Sequence, residues 1–209
     1  TRPVLYSRTG YYTTNGNGTS VVASWITPDA RASMSITNNG TVNYTGTSGT
    51  SSLDFGSAIG MDADDSPVDQ LITNNGTINS SSAWGITFRD AATSSSSAFR
   101  ALSTYAYSYN NIVGLTNSGT ITQTGSLSTS SSNLLKAHAS AVELLVPSAA
   151  QAYVVNNANA SISASNIGVD ILTTKQVTNA YITNSGSITS SGTGINLSPL
   201  TLSSLVLTP

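Results

Sequence analysis

The heptapeptide Ile-Thr-Asn-Asn-Gly-Thr-Ile at residues 72–78 organises this chain, because near copies of it recur along most of the sequence. Close copies stand at 36–42 (ITNNGTV), 115–121 (LTNSGTI) and 182–188 (ITNSGSI), and a degenerate copy stands at 155–162 (VNNANASI). Each copy begins and ends on an apolar residue with turn-forming residues between, which is typical of a strand, a turn and the next strand. Repeats spaced by 27 to 43 residues predict stacked structural units.

A second short apolar segment follows each copy, at residues 58–61, 84–88, 141–145, 167–171 and 194–197. Both kinds of segment use Val, Ile, Thr, Tyr and Asn in short runs, which favours strands over helices. We therefore predict an all-β fold, a parallel β-helix of about five to seven irregular coils with loop insertions. Residues 133–146 also allow an amphipathic helix, but their second half matches the apolar segments and is predicted as a strand.

One structural domain is expected from a chain of this length. Within it, residues 1–29 form an irregular N-terminal cap or assembly segment, residues 30–199 form the repeats, and residues 200–209 form a C-terminal strand or tail. No basic-then-apolar leader precedes Thr1, so we expect a processed mature protein or a piece of a longer one.

Asparagine and glycine hold fixed positions in the repeated phrase, which predicts a structural role for both. Equivalent residues of stacked coils lie about 4.8 Å apart, so asparagine amides can hydrogen-bond along a column. Glycine is expected to adopt the left-handed backbone conformation that other residues enter only at a cost. The predicted corner residues are Asn38, Asn74, Asn117, Asn184, Gly40, Gly76, Gly119 and Gly186. In the degenerate copy, Ala158 or Asn159 is expected in place of glycine, with one inserted residue.

The composition excludes several classes of partner. Serine, threonine and asparagine account for 85 of the 209 residues, whereas charged residues make up 8% and the net charge is −2. Nucleic acids and anionic membranes require clustered positive charge, and a membrane helix requires about 20 apolar residues, so neither nucleic-acid binding nor membrane insertion is expected. The absence of cysteine excludes disulfides. Such a polar, uncharged surface is typical of extracellular repeat proteins.

Two segments are candidate binding sites. An acidic loop offers oxygen ligands on alternate residues, which suits Ca²⁺, although it lacks the spacing of an EF-hand and would otherwise be a solvated loop. Its residues are Asp62, Asp64, Asp65 and Asp69. Tyrosines on alternate residues share one side of an extended segment and would stack on sugar rings, pack against a second subunit, or cover the coil wall. These are Tyr105, Tyr107 and Tyr109.

No catalytic motif is present, so no enzymatic activity is predicted, and calcium is the sole cofactor considered. A polysaccharide hydrolase needs converging carboxylates, for which Asp54, Asp64, Asp65 and Glu143 are available. However, the single His138 and scattered basic residues leave little to position an anionic sugar.

The repeated phrase, followed by a polar spacer and Gly-Ile-x-Leu, resembles the passenger domains of bacterial autotransporters over roughly residues 36–197. That resemblance implies a right-handed parallel β-helix at the cell surface or released from it, with roles in adhesion, aggregation or biofilm. The chain departs from the family pattern because the alternating strands of the family's membrane barrel do not follow the repeats. We therefore expect the exported portion, a fragment, or a free relative.

The expected function is that of a non-enzymatic, extracellular structural or adhesive β-solenoid that self-associates, as a surface fibre or filament or in aggregation, biofilm or surface attachment. The end coils of a solenoid expose unpaired backbone groups, which a second copy can pair. Two alternatives stay open. One is a glycan-binding or polysaccharide-cleaving β-helix with its site near residues 105–109 or the acidic loop, and the other is a phage or appendage fibre domain.

Overall fold

The computed structural model describes residues 5–9, 32–46, 57–63, 68–89, 112–126, 139–145, 149–172, 176–198 and 201–208. These residues form three parallel sheets and no helix. Sheet A contains β1 (Leu5–Thr9), β4 (Ser57–Ala63), β7 (Trp84–Arg89), β10 (Ser140–Leu145), β13 (Ile167–Leu172) and β16 (Thr193–Ser198). Sheet B contains β2 (Ala32–Asn38), β5 (Val68–Asn74), β8 (Ile112–Asn117), β11 (Ala149–Asn156), β14 (Gln176–Asn184) and β17 (Thr201–Thr208). Sheet C contains β3 (Thr41–Tyr44), β6 (Thr77–Ser80), β9 (Thr120–Gln123), β12 (Ser161–Ala164) and β15 (Ser187–Ser190).

The chain visits the sheets in a fixed cycle, which makes the molecule a parallel β-helix. Each coil runs through sheet B, then sheet C, then sheet A, and β2 to β16 complete five such coils. Neighbouring strands in every sheet are parallel and belong to successive coils. The predicted β-helix is confirmed, with a coil number at the lower end of the expected range. The predicted strand in the second half of residues 133–146 is β10.

Each end of the stack carries one further strand. At the N-terminal end, β1 pairs in parallel with β4, so sheet A starts one strand before the others. At the C-terminal end, β17 pairs in parallel with β14, so sheet B continues one strand beyond the others. Part of the segment at 1–29 therefore belongs to the stack, and residues 200–209 do contain a strand. The rest of the N-terminal segment lies outside the described residues.

Two aliphatic columns fill the interior on either side of the corner. The first contains Ile36, Ile72, Leu115, Val154 and Ile182, and the second contains Val42, Ile78, Ile121, Ile162 and Ile188. In the three middle coils these side chains are at most 1% exposed. Burying one such side chain stabilises a protein by about 1.5–3 kcal/mol, so the columns hold the coils together.

The degenerate corner starts one residue earlier than expected. Val154, not Val155, pairs with Leu115 and Ile182, and Ile162 pairs with Ile121 at the other end of the corner. The corner from Val154 to Ile162 is therefore nine residues long, whereas the regular corners are seven residues long. This corner therefore contains two inserted residues rather than one. Asn159 takes up the turn with a φ of 67°, the left-handed conformation that asparagine tolerates.

Three of the four corner glycines are required, for a different reason from the one expected. None of them has φ in the left-handed region, so that expectation is wrong. A Cβ on Gly76 would instead overlap the carbonyl oxygen of Gly40 in the preceding coil, and a Cβ on Gly119 would overlap that of Gly76. These carbonyls accept inter-coil hydrogen bonds at 2.8 and 2.9 Å from Thr77 and Thr120. Glycine is needed at positions 76, 119 and 186 because the backbone of the preceding coil approaches closely there, whereas a Cβ on Gly40 would meet nothing within 4 Å.

Candidate functional surfaces

The corner asparagines form an uninterrupted hydrogen-bonded ladder inside the solenoid. The Nδ2 of each asparagine donates to the Oδ1 of the asparagine in the next coil, at 2.8, 2.8, 2.8 and 2.7 Å. The ladder contains Asn38, Asn74, Asn117, Asn156 and Asn184. The amides also donate to backbone carbonyls of the same corner and of the next coil, as Asn117 does to Gly119 at 3.2 Å and Ser161 at 3.3 Å. The ladder thus satisfies backbone groups that the bend leaves unpaired.

A second buried amide joins three coils at the end of sheet C. The Nε2 of Gln123 donates to the carbonyl oxygens of Ser82 at 2.6 Å and Gly125 at 2.7 Å. Its Oε1 accepts from the backbone N–H of Ser165 at 3.1 Å and from the Ser165 hydroxyl at 3.0 Å. Because Gln123 is 1% exposed, each of these bonds replaces a contact with water that the site does not allow. Gln123 and the asparagine ladder have a structural role.

Two of the four aspartates of the predicted calcium site lie in strands of different sheets, and the other two lie outside the described residues. Asp62 lies in β4, where the register places it between Arg8 and Arg89 of the adjacent strands. Asp69 lies in β5, and its Oδ1 accepts a 2.7 Å hydrogen bond from the N–H of Ile112. Asp64 and Asp65 lie outside the described residues. The calcium site stays a prediction. Among the described residues, no group of three or more His, Cys, Asp or Glu side chains is arranged to hold a metal ion.

The tyrosine strip of residues 105–109 lies outside the described residues, as do Asp54 and His138. Glu143 is described, and the register places it directly beside Asp170 on the neighbouring strand, with Thr87 and Asn196 completing the row. Glu143 and Asp170 are 1% and 0% exposed, and Asn196 donates a 2.7 Å hydrogen bond from its Nδ2 to Asp170 Oδ1. Sequence reasoning considered Glu143 but missed Asp170.

The burial of these carboxylates means that the middle strands of sheet A, β7, β10 and β13, are buried on both faces. Ile86 and Phe88 belong to the interior core, and Thr87 between them is 1% exposed. Trp84 is 6% exposed and packs in a separate cluster with Ala83 and Ala139. A buried polar row on a covered sheet is not accessible to a large substrate, so we do not assign a catalytic function to it.

Sheet B carries a row of apolar and aromatic side chains on its outer face. The register aligns Leu71, Gly114, Tyr153 and Tyr181, one from each of four successive coils, and we call this row the tyrosine track. A Cβ on Gly114 would overlap three ring atoms of Tyr153, so the Tyr153 ring lies across the glycine. The hydroxyl of Tyr181 lies 3.4 Å from the Nε2 of Gln151, which donates to it. The leucine and both tyrosines are half-buried, so part of each faces solvent.

The last complete coil leaves the interior core incompletely covered. Val169 and Ile171 in β13 are 0% exposed, whereas Ile195 and Leu197, their register partners in β16, are half-buried. In sheet C, Ile188 of β15 is likewise half-buried. We call Ile188, Ile195 and Leu197, with the strands that carry them, the C-terminal end face. Core residues of a closed domain would be covered, so this face is a candidate contact surface.

A scan against protein-family models, a search of curated proteins and a search of solved structures each found nothing that matches this chain. None of the segments that the structure describes forms a helix long and apolar enough to cross a membrane. The function is therefore argued from the solenoid itself and from the two outer surfaces, the tyrosine track and the C-terminal end face.

Proposed function

We propose that this protein is a non-enzymatic structural or adhesive β-solenoid of the bacterial cell surface or extracellular space, which acts by joining to further copies of itself. The observation that carries the proposal is the C-terminal end face. Three residues of the interior columns are half-buried there, although their equivalents one coil earlier, Ile162, Val169 and Ile171, are 0% exposed. A second copy that continued the stack would cover Ile195 and Leu197 with its own β1 beside β16.

The two ends of the stack have complementary outlines for a head-to-tail contact. Sheet A begins early with β1, and sheet B ends late with β17. If β1 of one copy lay beside β16 of another, β17 of the second copy would meet β2 of the first in the same step. Such a contact is heterologous and does not close on itself, so it generates filaments rather than dimers.

At this junction sheet C would lack one strand, since β15 and the β3 of the next copy would be separated by two strand spacings. Two spacings are about 9.6 Å, wide enough for one extended segment. In sheets A and B, the pairs β16–β1 and β17–β2 would still form parallel backbone hydrogen bonds. Exposed strand edges commonly associate through such bonds.

The surface location rests on different observations. Solubility comes from hydroxyl and amide side chains rather than charges, which make up 8% of residues. The phrase shared with autotransporter passengers supports the same location, and those passengers are themselves β-helices. A cell-surface fibre that mediates aggregation, biofilm formation or attachment is consistent with the composition, the shared phrase and the β-helix fold.

Electron microscopy and light scattering of the 209-residue chain test the proposal. The wild type is expected to form rods longer than one molecule, whose six-stranded sheets span about 24 Å from first to last strand. Leu197→Lys places a charge on the end face and is expected to abolish the longer rods. Thr189→Lys, on the exposed side of the same coil, is the matched control and should assemble as the wild type does. Single rods at every protein concentration would refute self-association, and closed trimers would favour an appendage fibre domain instead.

A further inference from the structure

The tyrosine track lies between two rows of side chains that are polar except at Ile112 and Val155. In the two coils that carry the tyrosines, one flanking row contains Gln151 and Asn179, each two residues before a tyrosine of the track, and the other contains Val155 and Thr183, each two residues after one. Strand residues two apart point to the same face, so these side chains border the track. In these two coils the tyrosines therefore have hydrogen-bonding side chains at three of the four flanking positions, and Val155 is the apolar exception.

We propose that the tyrosine track binds a neutral, linear polysaccharide whose chain runs along the solenoid axis. Sugar rings present C–H groups on their faces and hydroxyls around their edges. The faces match the half-exposed rings of Tyr153 and Tyr181, and the hydroxyls match the amides and hydroxyls of the bordering rows. Equivalent side chains recur about every 4.8 Å along the axis, so the surface repeats in the direction of a polymer rather than enclosing a single small molecule.

The charge of the surface selects among polymers. Asp69 is the single charged residue on this face within the described residues, and its Oδ1 already accepts a hydrogen bond from Ile112. No cation stands beside the track in that part of the chain to hold a phosphate, sulfate or uronate. Nucleic acids and acidic polysaccharides, which are bound through clustered Lys and Arg, therefore do not fit.

The width of the stripe argues against a protein partner. The apolar core of a protein–protein interface is a contiguous patch, whereas here the rows on either side of the track are polar at every described position except Ile112 and Val155. The position of Tyr153 has a further consequence. Its ring occupies the space above Gly114, so it is held in place before any ligand arrives, which reduces the entropy lost on binding.

This inference goes beyond the proposed function, because it assigns a ligand class to a wall of the solenoid that end-to-end contacts leave open. It also differs from the glycan site considered for residues 105–109, since the residues and the surface are different. Self-association and polysaccharide binding can therefore fail or succeed independently.

Affinity electrophoresis in gels containing soluble polysaccharides tests the inference. The neutral panel is hydroxyethylcellulose, xyloglucan, galactomannan and dextran, and polygalacturonate is the acidic counterpart. We expect at least one neutral polymer to retard the protein and polygalacturonate to have no effect. Tyr153→Ala and Tyr181→Ala should each weaken binding by about tenfold, which corresponds to about 1.4 kcal/mol. Tyr153→Phe keeps the ring and should retain binding.

Two controls distinguish a loss of polysaccharide binding from a general effect of substitution and from a failure to fold. Asn79→Ala changes an exposed side chain on sheet C and should bind as the wild type does. Circular dichroism identifies a variant that fails to fold, and because the Tyr153 ring covers Gly114, Tyr181→Ala carries the test if Tyr153→Ala unfolds. The inference is overturned if no neutral polymer retards the wild type, if polygalacturonate alone does, or if folded tyrosine variants bind with unchanged affinity.

Discussion

Removing one amide from the middle of the asparagine ladder should destabilise the whole solenoid. Asn117 is 0% exposed and joins three coils, because it accepts from Asn74 at 2.8 Å and donates to Asn156 at 2.8 Å. Asn117→Ala deletes both bonds. Asn74 keeps its weaker contacts with Gly76 at 3.2 Å and Thr120 at 3.4 Å, but the buried Oδ1 of Asn156 loses the donor that faces it.

The magnitude follows from those bonds. Each amide hydrogen bond contributes about 0.5–1.5 kcal/mol net, and a buried acceptor left without a donor costs about 1–3 kcal/mol. The expected loss is therefore about 2–6 kcal/mol in the free energy of unfolding, a large fraction of the stability of a typical domain. Asn117→Asp separates the effect of the lost hydrogen bonds from the effect of the cavity that alanine leaves. It keeps the volume but has no N–H for Asn156 and turns a carboxylate oxygen toward the carbonyls of Gly119 and Ser161, so it should be as damaging at neutral pH.

Urea unfolding followed by circular dichroism measures the effect. The matched control is Asn79→Ala, which removes a hydrogen bond of the same type and length, 2.8 Å to Asn43, from an exposed ladder on sheet C. That variant should lie within about 0.5 kcal/mol of the wild type, because water replaces the lost partner. The reasoning is refuted if Asn117→Ala unfolds at the wild-type urea concentration, or if the exposed and buried deletions cost the same.

Two further substitutions test the close approach of the coils and the second buried amide. Gly119→Ala should cost about 1–3 kcal/mol, since its Cβ would overlap the Gly76 carbonyl, whereas Gly40→Ala, with nothing within 4 Å of the added atom, should be neutral in the same thermal melt. Equal melting temperatures for both alanine variants would contradict the contact argument. Gln123→Leu should lose about 1–3 kcal/mol by urea unfolding, because it removes the donor to the Ser82 carbonyl oxygen. The Gly125 carbonyl keeps the Ser165 hydroxyl, and the Ser165 N–H keeps the main-chain carbonyl of residue 123. A stability equal to that of the wild type would contradict this reasoning.

The fold was predictable from the sequence because its main determinants repeat in the same local order. Asn38, Asn74 and Asn117 each follow an apolar residue and a threonine, so their equivalence is visible without coordinates. The apolar residues on either side fix the interior columns in the same way. Once strands are inferred from residue type, stacking is the arrangement that buries every copy of the phrase against the next.

Features that depend on contacts between coils were not predictable in this way. The glycine at the corner was explained by its own φ, whereas the actual constraint on Gly76 is the carbonyl of Gly40, 36 residues earlier. In the degenerate corner, two valines and three nearby asparagines offer several local alignments, and pairing with Leu115 selects Val154. The tyrosine track was missed for the same reason, because its residues are far apart in sequence and no two share a repeat.

The tyrosine track and the C-terminal end face would together give stronger attachment to a long polysaccharide than the track of a single copy. The tyrosine track crosses successive coils, so it runs parallel to the axis along which copies would join at the C-terminal end face. Head-to-tail assembly would therefore bring the tracks of successive copies onto one side of a filament if the sheets continue in line. A long polysaccharide could then contact many tracks at once, and a modest affinity for each becomes strong attachment through effective concentration. A short oligosaccharide reports on one track alone. Leu197→Lys should accordingly leave oligosaccharide binding unchanged and weaken binding to the long polymer, whereas Tyr181→Ala should weaken both.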